Sequence, residues 1–157
     1  MQFIDSNLDP WQTPGGDFCA LANARSIPIA EEITQRFAEI DELYDIGDID
    51  LHISGCINSC GHHHSGHIGI LGVDKDGKEW YQVSLGGSDG STISGGAVPG
   101  KVIGPSFAAD EVADVIEAVI DTYRAQRDAN DRPNNPTSID KIVIRDAKDG
   151  EKGPAPK

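Results

Sequence analysis

Apolar residues recur at helical spacing in two stretches. Ile29, Ile33, Phe37 and Ile40 predict a helix over about residues 28–43. Ser26 stands near its cap, Pro28 in its first turn, and Glu31 and Glu32 sit where the helix dipole favours acids. Val112, Val115, Ile116, Val119, Ile120 and Tyr123 form the apolar stripe of a second helix over about residues 109–127. The Ala-rich stretch 18–25 is also helix-favouring, which puts Cys19 at a helix start. Elsewhere the period shortens to that of strands. Residues 50–54 read as a short strand ending at Gly55, and 68–73 as a second. Residues 79–85 set Trp80, Gln82 and Ser84 against Tyr81, Val83 and Leu85. With 74–78 as the turn, the last two strands make a hairpin whose loop is slightly longer than the tightest kind. Residues 101–104 are a third strand candidate, and the Gly-rich stretch 86–100 a long loop. The expected fold class is α+β: a small, mostly antiparallel sheet with two main helices.

Both ends differ in character. Residues 1–18 carry turn chemistry at Asp9-Pro10 and Thr13-Pro14-Gly15-Gly16 and read as irregular. After Asp131, Arg132-Pro133-Asn134-Asn135-Pro136 breaks the helical pattern. Ile139, Ile142, Val143 and Ile144 could make a weak strand, and residues 146–157 read as disordered. There are no internal repeats.

Charge narrows the function classes. The 157 residues hold 13 Lys and Arg against 26 Asp and Glu, a net charge of -13. Nucleic acid is excluded as a partner, because phosphate binding needs a basic face. An anionic membrane surface is excluded for the same reason. No apolar run is long enough to cross a bilayer. The start Met1-Gln2-Phe3-Ile4-Asp5 shows no secretory signal, so the expected location is the cytoplasm. The three cysteines, Cys19, Cys56 and Cys60, are poor material for a disulfide framework.

Candidate chemistry concentrates in residues 55–67, Gly-Cys-Ile-Asn-Ser-Cys-Gly-His-His-His-Ser-Gly-His. Gly55, Asn58, Ser59 and Gly61 argue for a loop over a helix. Iron–sulfur sites need thiolates converging from segments free to wrap a cluster. Cys56 and Cys60 can supply two, and Cys19 a third whose thiol a helix dipole would acidify. By spacing alone, Cys-x3-Cys leaves iron–sulfur, zinc and inert thiols open. His62, His63, His64 and His67 could join the cysteines on zinc, or be polar loop residues. The glycine pairs at 86–87 and 95–96 lack a Walker frame. Asp110, Glu111, Asp114 and Glu117 read as a solvated helix face.

Residues 51–70 closely resemble the cluster segment of the siroheme-dependent sulfite and nitrite reductases. The resemblance continues upstream through Phe18-Cys19-Ala20-Leu21-Ala22-Asn23-Ala24-Arg25-Ser26-Ile27-Pro28. Downstream it continues through Tyr81-Gln82-Val83-Ser84-Leu85-Gly86-Gly87 and the helix of Val112 and Tyr123. It spans residues 13–131, the C-terminal part of a much longer enzyme, with 1–12 unaligned and 132–157 a divergent, flexible tail. The family holds a [4Fe-4S] cluster on a Cys-x5-Cys and a Cys-x3-Cys pair. Cys19 matches the second member of the first pair, and Cys56 and Cys60 match the second pair. Cys60 would bridge the cluster to the siroheme iron, with Asn58 against the macrocycle. The implied reaction is sulfite to sulfide, or nitrite to ammonia, by one-electron deliveries. Two departures stand out. The first cysteine of the Cys-x5-Cys pair is Thr13 here. Three thiolates would leave one iron open to an oxygen ligand and labile, or yield a [3Fe-4S] form. Most of the siroheme cradle and the basic substrate-binding residues of the family have no counterpart. The expectation is therefore an iron–sulfur and siroheme-contacting module, inactive alone, working with a polypeptide that carries the missing portion and with an electron donor protein. The alternative is a non-catalytic or remnant domain with zinc on Cys and His, or no metal.

Overall fold

The computed structural model describes residues 11–38, 49–90 and 96–126. The Ile139–Ile144 strand, the flexible tail and the helix extension beyond residue 38 lie outside them. Strands β1 (Trp11–Gln12), β2 (Leu51–Ser54), β3 (Ile68–Lys75), β4 (Lys78–Leu85) and β7 (Lys101–Ala108) form one five-stranded sheet in the order β1-β2-β3-β4-β7. Strands β5 (Ser88–Asp89) and β6 (Ala97–Val98) pair separately, within the stretch expected as loop. The helices are α1 (Gly15–Phe18), α2 (Ile27–Arg36) and α3 (Val112–Gln126), the last preceded by a 3-10 turn at Ala109–Glu111. The α+β class holds. The long strands β3, β4 and β7 pair antiparallel, whereas β1 and β2 join in parallel.

The hairpin register is Lys75 opposite Lys78, leaving only Asp76 and Gly77 to turn the chain. Both have positive φ, 56° and 76°. This pairing of an Asp-Gly with left-handed backbone matches the natural twist of the strands. The turn is thus of the tightest kind, shorter than the sequence reading expected.

The register also sorts the faces. Ile53, Ile70, Val83 and Ile103 align across the sheet, as do Leu51, Ile68 and Leu85. These residues meet Ile29, Ile33 and Phe37 of the α2 region and Val112, Ile116 and Ile120 of α3 in the core. Fully burying one such side chain contributes about 1.5–3 kcal/mol. Arg36 ties the helices together through Asp114 and, at 2.9 Å, Glu117. The Glu111 carboxylate accepts the Ala108 N–H at 2.9 Å, closing the start of the last helical segment.

Residues 18–25 do not form the expected helix. Only Gly15–Phe18 is helical, and Cys19 is its C-terminal cap, with φ -114° and ψ 111°. The reason is tertiary pairing. Both Asn23 and Ala24 donate their N–H groups to the Gly55 carbonyl, at 2.9 and 3.0 Å. A helix would have spent those donors internally. Ser26 caps α2 by position alone. Its hydroxyl donates to the Thr13 carbonyl instead of to the helix.

Candidate functional site

Parallel strands end on the same side of a sheet, and that directs the cysteines. β1 runs out into Thr13 and the turn bearing Cys19, while β2 runs out into Gly55 and Cys56. Thr13 fastens the two exits. Its N–H donates to the Ile53 carbonyl at 3.2 Å, and its Oγ1 accepts the Gly55 N–H at 3.3 Å. At Gly55 the segments approach so closely that a Cβ would stand 2.7 Å from both the Ala24 carbonyl oxygen and the Gly15 Cα. Further along, the Tyr81 hydroxyl donates to the Arg25 carbonyl at 2.7 Å, and Glu79 pairs with Arg25 at 3.2 Å. Burial, then the Glu79 charge, pushes the Tyr81 hydroxyl well above the usual phenol range. It therefore stays a neutral donor.

The loop between β2 and β3 is a chain of tight turns. Ser59 donates to Cys56, His62 to Ser59, and Ser65 to His62, all through the backbone. Ser59 and His62 adopt positive φ, 56° and 52°. The loop folds across the sheet face opposite the helices. It packs so tightly there that a Cβ on Gly69 would meet the His63 carbonyl oxygen at 2.0 Å. Cys56 is buried, Cys19 half-buried and Cys60 exposed, and all three are free thiols. Asn58 is exposed on the turn between Cys56 and Cys60. Phe18, Leu21 and Ile57, beside the cysteines in sequence, are 82%, 74% and 74% exposed.

Cys19 thus sits at the end of a short helix, not at a helix start. The helix end beside Cys19 is therefore the C-terminal one, opposite to the end expected from the sequence. The structure brings the Cys19 and Cys56 segments together through Gly55, and carries Cys60 on the same loop as Cys56. Sequence reading passed over Gly55, Ser26 and Tyr81 as parts of this arrangement. Their signal lies in long-range pairing, which a linear pattern does not carry.

Two of the loop histidines, His63 and His67, and His52 of β2 make local hydrogen bonds through their rings. His63 Nδ1 lies 3.2 Å from Ser59 Oγ, His52 Nδ1 lies 3.0 Å from the His62 carbonyl, and His67 Nδ1 accepts the Asp50 N–H at 3.0 Å. Among the described residues, no three His, Cys, Asp or Glu side chains gather closely enough to hold a single metal ion. A single ion needs all its donors within about 2.0–2.3 Å of one point. A cluster several atoms across takes its thiolates from more widely spaced positions. The donor chemistry, three free thiols on two fastened segments, fits such a cluster. Beside the loop lies a cavity of about 270 Å³, bordered by Asn23, Ile57, His63, His64, Gln82 and Ser84. Among the described residues, no helix is long and apolar enough to cross a membrane.

Residues 10–137 match the family model described as nitrite and sulphite reductase 4Fe-4S domain. The chain is 30% identical to a sulfite reductase [ferredoxin] 1 of Mycolicibacterium paratuberculosis, over 69% of its own length and 20% of the relative's. Its fold superposes on the NirA protein of Mycobacterium tuberculosis with a TM-score of 0.63 and 26% identity, covering 79% of this chain and 24% of that one. It superposes on dissimilatory sulfite reductase I (DsrI) with a TM-score of 0.65 and 15% identity, covering 80% of this chain and 47% of that one. At that identity the second likeness speaks for the fold alone. The chain spans about a fifth of the length of the sulfite reductase that it matches.

Proposed function

The chain belongs to the nitrite and sulphite reductase 4Fe-4S domain family, and from that premise we propose that Cys19, Cys56 and Cys60 hold an iron–sulfur cluster in an electron-delivering module of a sulfite or nitrite reductase. In this reading the cluster would be a [4Fe-4S] centre, and Cys60, the exposed thiol, would be the residue that links it to a siroheme bound mainly by the rest of the enzyme. The bound cofactors supply one-electron steps that take sulfite to sulfide or nitrite to ammonia. Asn58, exposed between the two loop cysteines, would contact that siroheme. The module works in the cytoplasm, receives electrons from a donor protein, and turns over only with the portion that carries the oxyanion-binding basic residues, whether contiguous or on a separate polypeptide.

The observation that carries this reading is the parallel pairing of β1 with β2, which sends the Cys19 and Cys56 segments out on one side, fastened at Gly55. The chain's own contribution is positional. The stacked turns of residues 56–65 hold backbone and thiols in a fixed arrangement, and the buried Cys56 is kept from water while Cys60 faces outward. A low-dielectric flank on one side and an open flank on the other suit a group that must exchange electrons with a neighbour. Anaerobic reconstitution of the full chain with iron and sulfide is expected to give a brown protein with broad visible absorbance. Cys56→Ser is expected to abolish that absorbance. A colourless wild-type product carrying stoichiometric zinc would overturn the proposal.

A further inference from the structure

The chain contains 3 cysteines, whereas each iron of a four-iron cluster requires one terminal ligand beyond the bridging sulfides. We infer that the cluster held by these 157 residues keeps one iron without a thiolate of their own, an exchangeable corner that takes a small exogenous thiolate, and that Thr13 serves the site by fastening its two segments instead of ligating iron. The inference rests on the reading of Cys19, Cys56 and Cys60 as the cluster ligands.

The hydrogen bonds of Thr13 carry the argument. Its N–H is given to Ile53, its carbonyl accepts the Ser26 hydroxyl, and its Oγ1 accepts the Gly55 N–H at 3.3 Å. All three contacts run between the segment of Cys19 and its surroundings, and two of them reach the end of β2 just ahead of Cys56. A neutral hydroxyl is also a poor competitor for iron in a sulfur-rich centre, where soft thiolates are preferred. Among the described residues, no histidine gathers with the cysteines into a group of three metal donors. The carboxylate within the Thr13–Cys19 stretch, Asp17, is exposed on α1 and faces the field of Arg25. A small thiolate from solution therefore meets no sulfur competitor at the fourth iron.

Loss of that iron is a balanced step when an oxidant is supplied. One electron passes from the [4Fe-4S]2+ core to ferricyanide, which becomes ferrocyanide, while one Fe2+ leaves to a chelator and a [3Fe-4S]1+ core remains. The test uses the full chain, reconstituted anaerobically and read by iron analysis, EPR and Mössbauer spectroscopy. Wild type treated with ferricyanide and EDTA is expected to release one iron per cluster and develop the EPR signal of a three-iron core. Re-addition of labelled Fe2+ with dithionite should place the label in one site. A small thiol such as 2-mercaptoethanol should slow the release. Thr13→Cys should slow it by about tenfold or more, the scale on which a metal's surroundings alter its retention, and remove the thiol effect. Thr13→Ser and Asp17→Asn should release iron as wild type does. If wild type and Thr13→Cys assemble clusters that keep all their iron equally well, the inference falls and the ligand reading stands. If Asp17→Asn alone speeds the loss, Asp17 fills the corner and the inference falls. If neither wild type nor Thr13→Cys assembles a cluster, the ligand reading falls and takes the inference with it.

Discussion

His63 is 3% exposed, and burial, with lesser contributions from His64 and His52, pulls its pKa from the ordinary 6.5 down to about 4. The folded chain thus holds this imidazole neutral, while the unfolded chain protonates it below pH 6.5. Between those two values the unfolded state binds more protons, so stability falls as pH falls. In the cluster-free chain, urea denaturation should show a loss on the order of 2 kcal/mol between neutral pH and pH 4 that His63→Gln largely removes. Thr13 gives a second prediction. Thr13→Val leaves the Gly55 N–H without its acceptor and should cost about 1 kcal/mol in the same measurement, whereas Thr13→Ser should cost less. Cys56, Cys60 and the histidines were legible as a candidate site because their density in one Gly-flanked stretch is itself a signal. The hydroxyl of Thr13 was legible only as a missing sulfur, since its hydrogen bond crosses 42 residues of chain.

At the level of elements, α2 and α3 follow from apolar spacing, and β3 and β4 from alternation closed by Asp76-Gly77. Periodicity fails where the partner is remote. Residues 18–25 have helical composition, but the Gly55 carbonyl claims two of their N–H groups. β1 is two residues long, too short to carry a period, and so its parallel pairing was invisible. Two glycines separate turn geometry from close approach. Gly77 has φ +76° with open space around it, so Gly77→Ala should cost about 1 kcal/mol of backbone strain and leave cluster assembly unchanged. Gly55→Ala drives a Cβ against backbone at 2.7 Å. It should cost about 1–3 kcal/mol and lower the yield of reconstituted cluster, read by iron per chain.

Across the whole molecule, acidic charge dominates a surface whose apolar residues Phe18, Leu21 and Ile57 stand exposed near the cysteines in sequence. Ile57→Ser should shift stability by less than about 0.5 kcal/mol, because at 74% exposure the side chain has little packing to lose. Charge composition gave no sign of where the sheet would present its thiols. The unequal reach of the strand pairings has a kinetic consequence. The β3–β4 hairpin closes over two residues and can zip early, whereas Thr13 meets Gly55 only after a 42-residue loop has closed. Refolding should therefore produce the hairpin first and dock the Cys19 arm last, leaving a late window in which the waiting thiols stand open to oxidation.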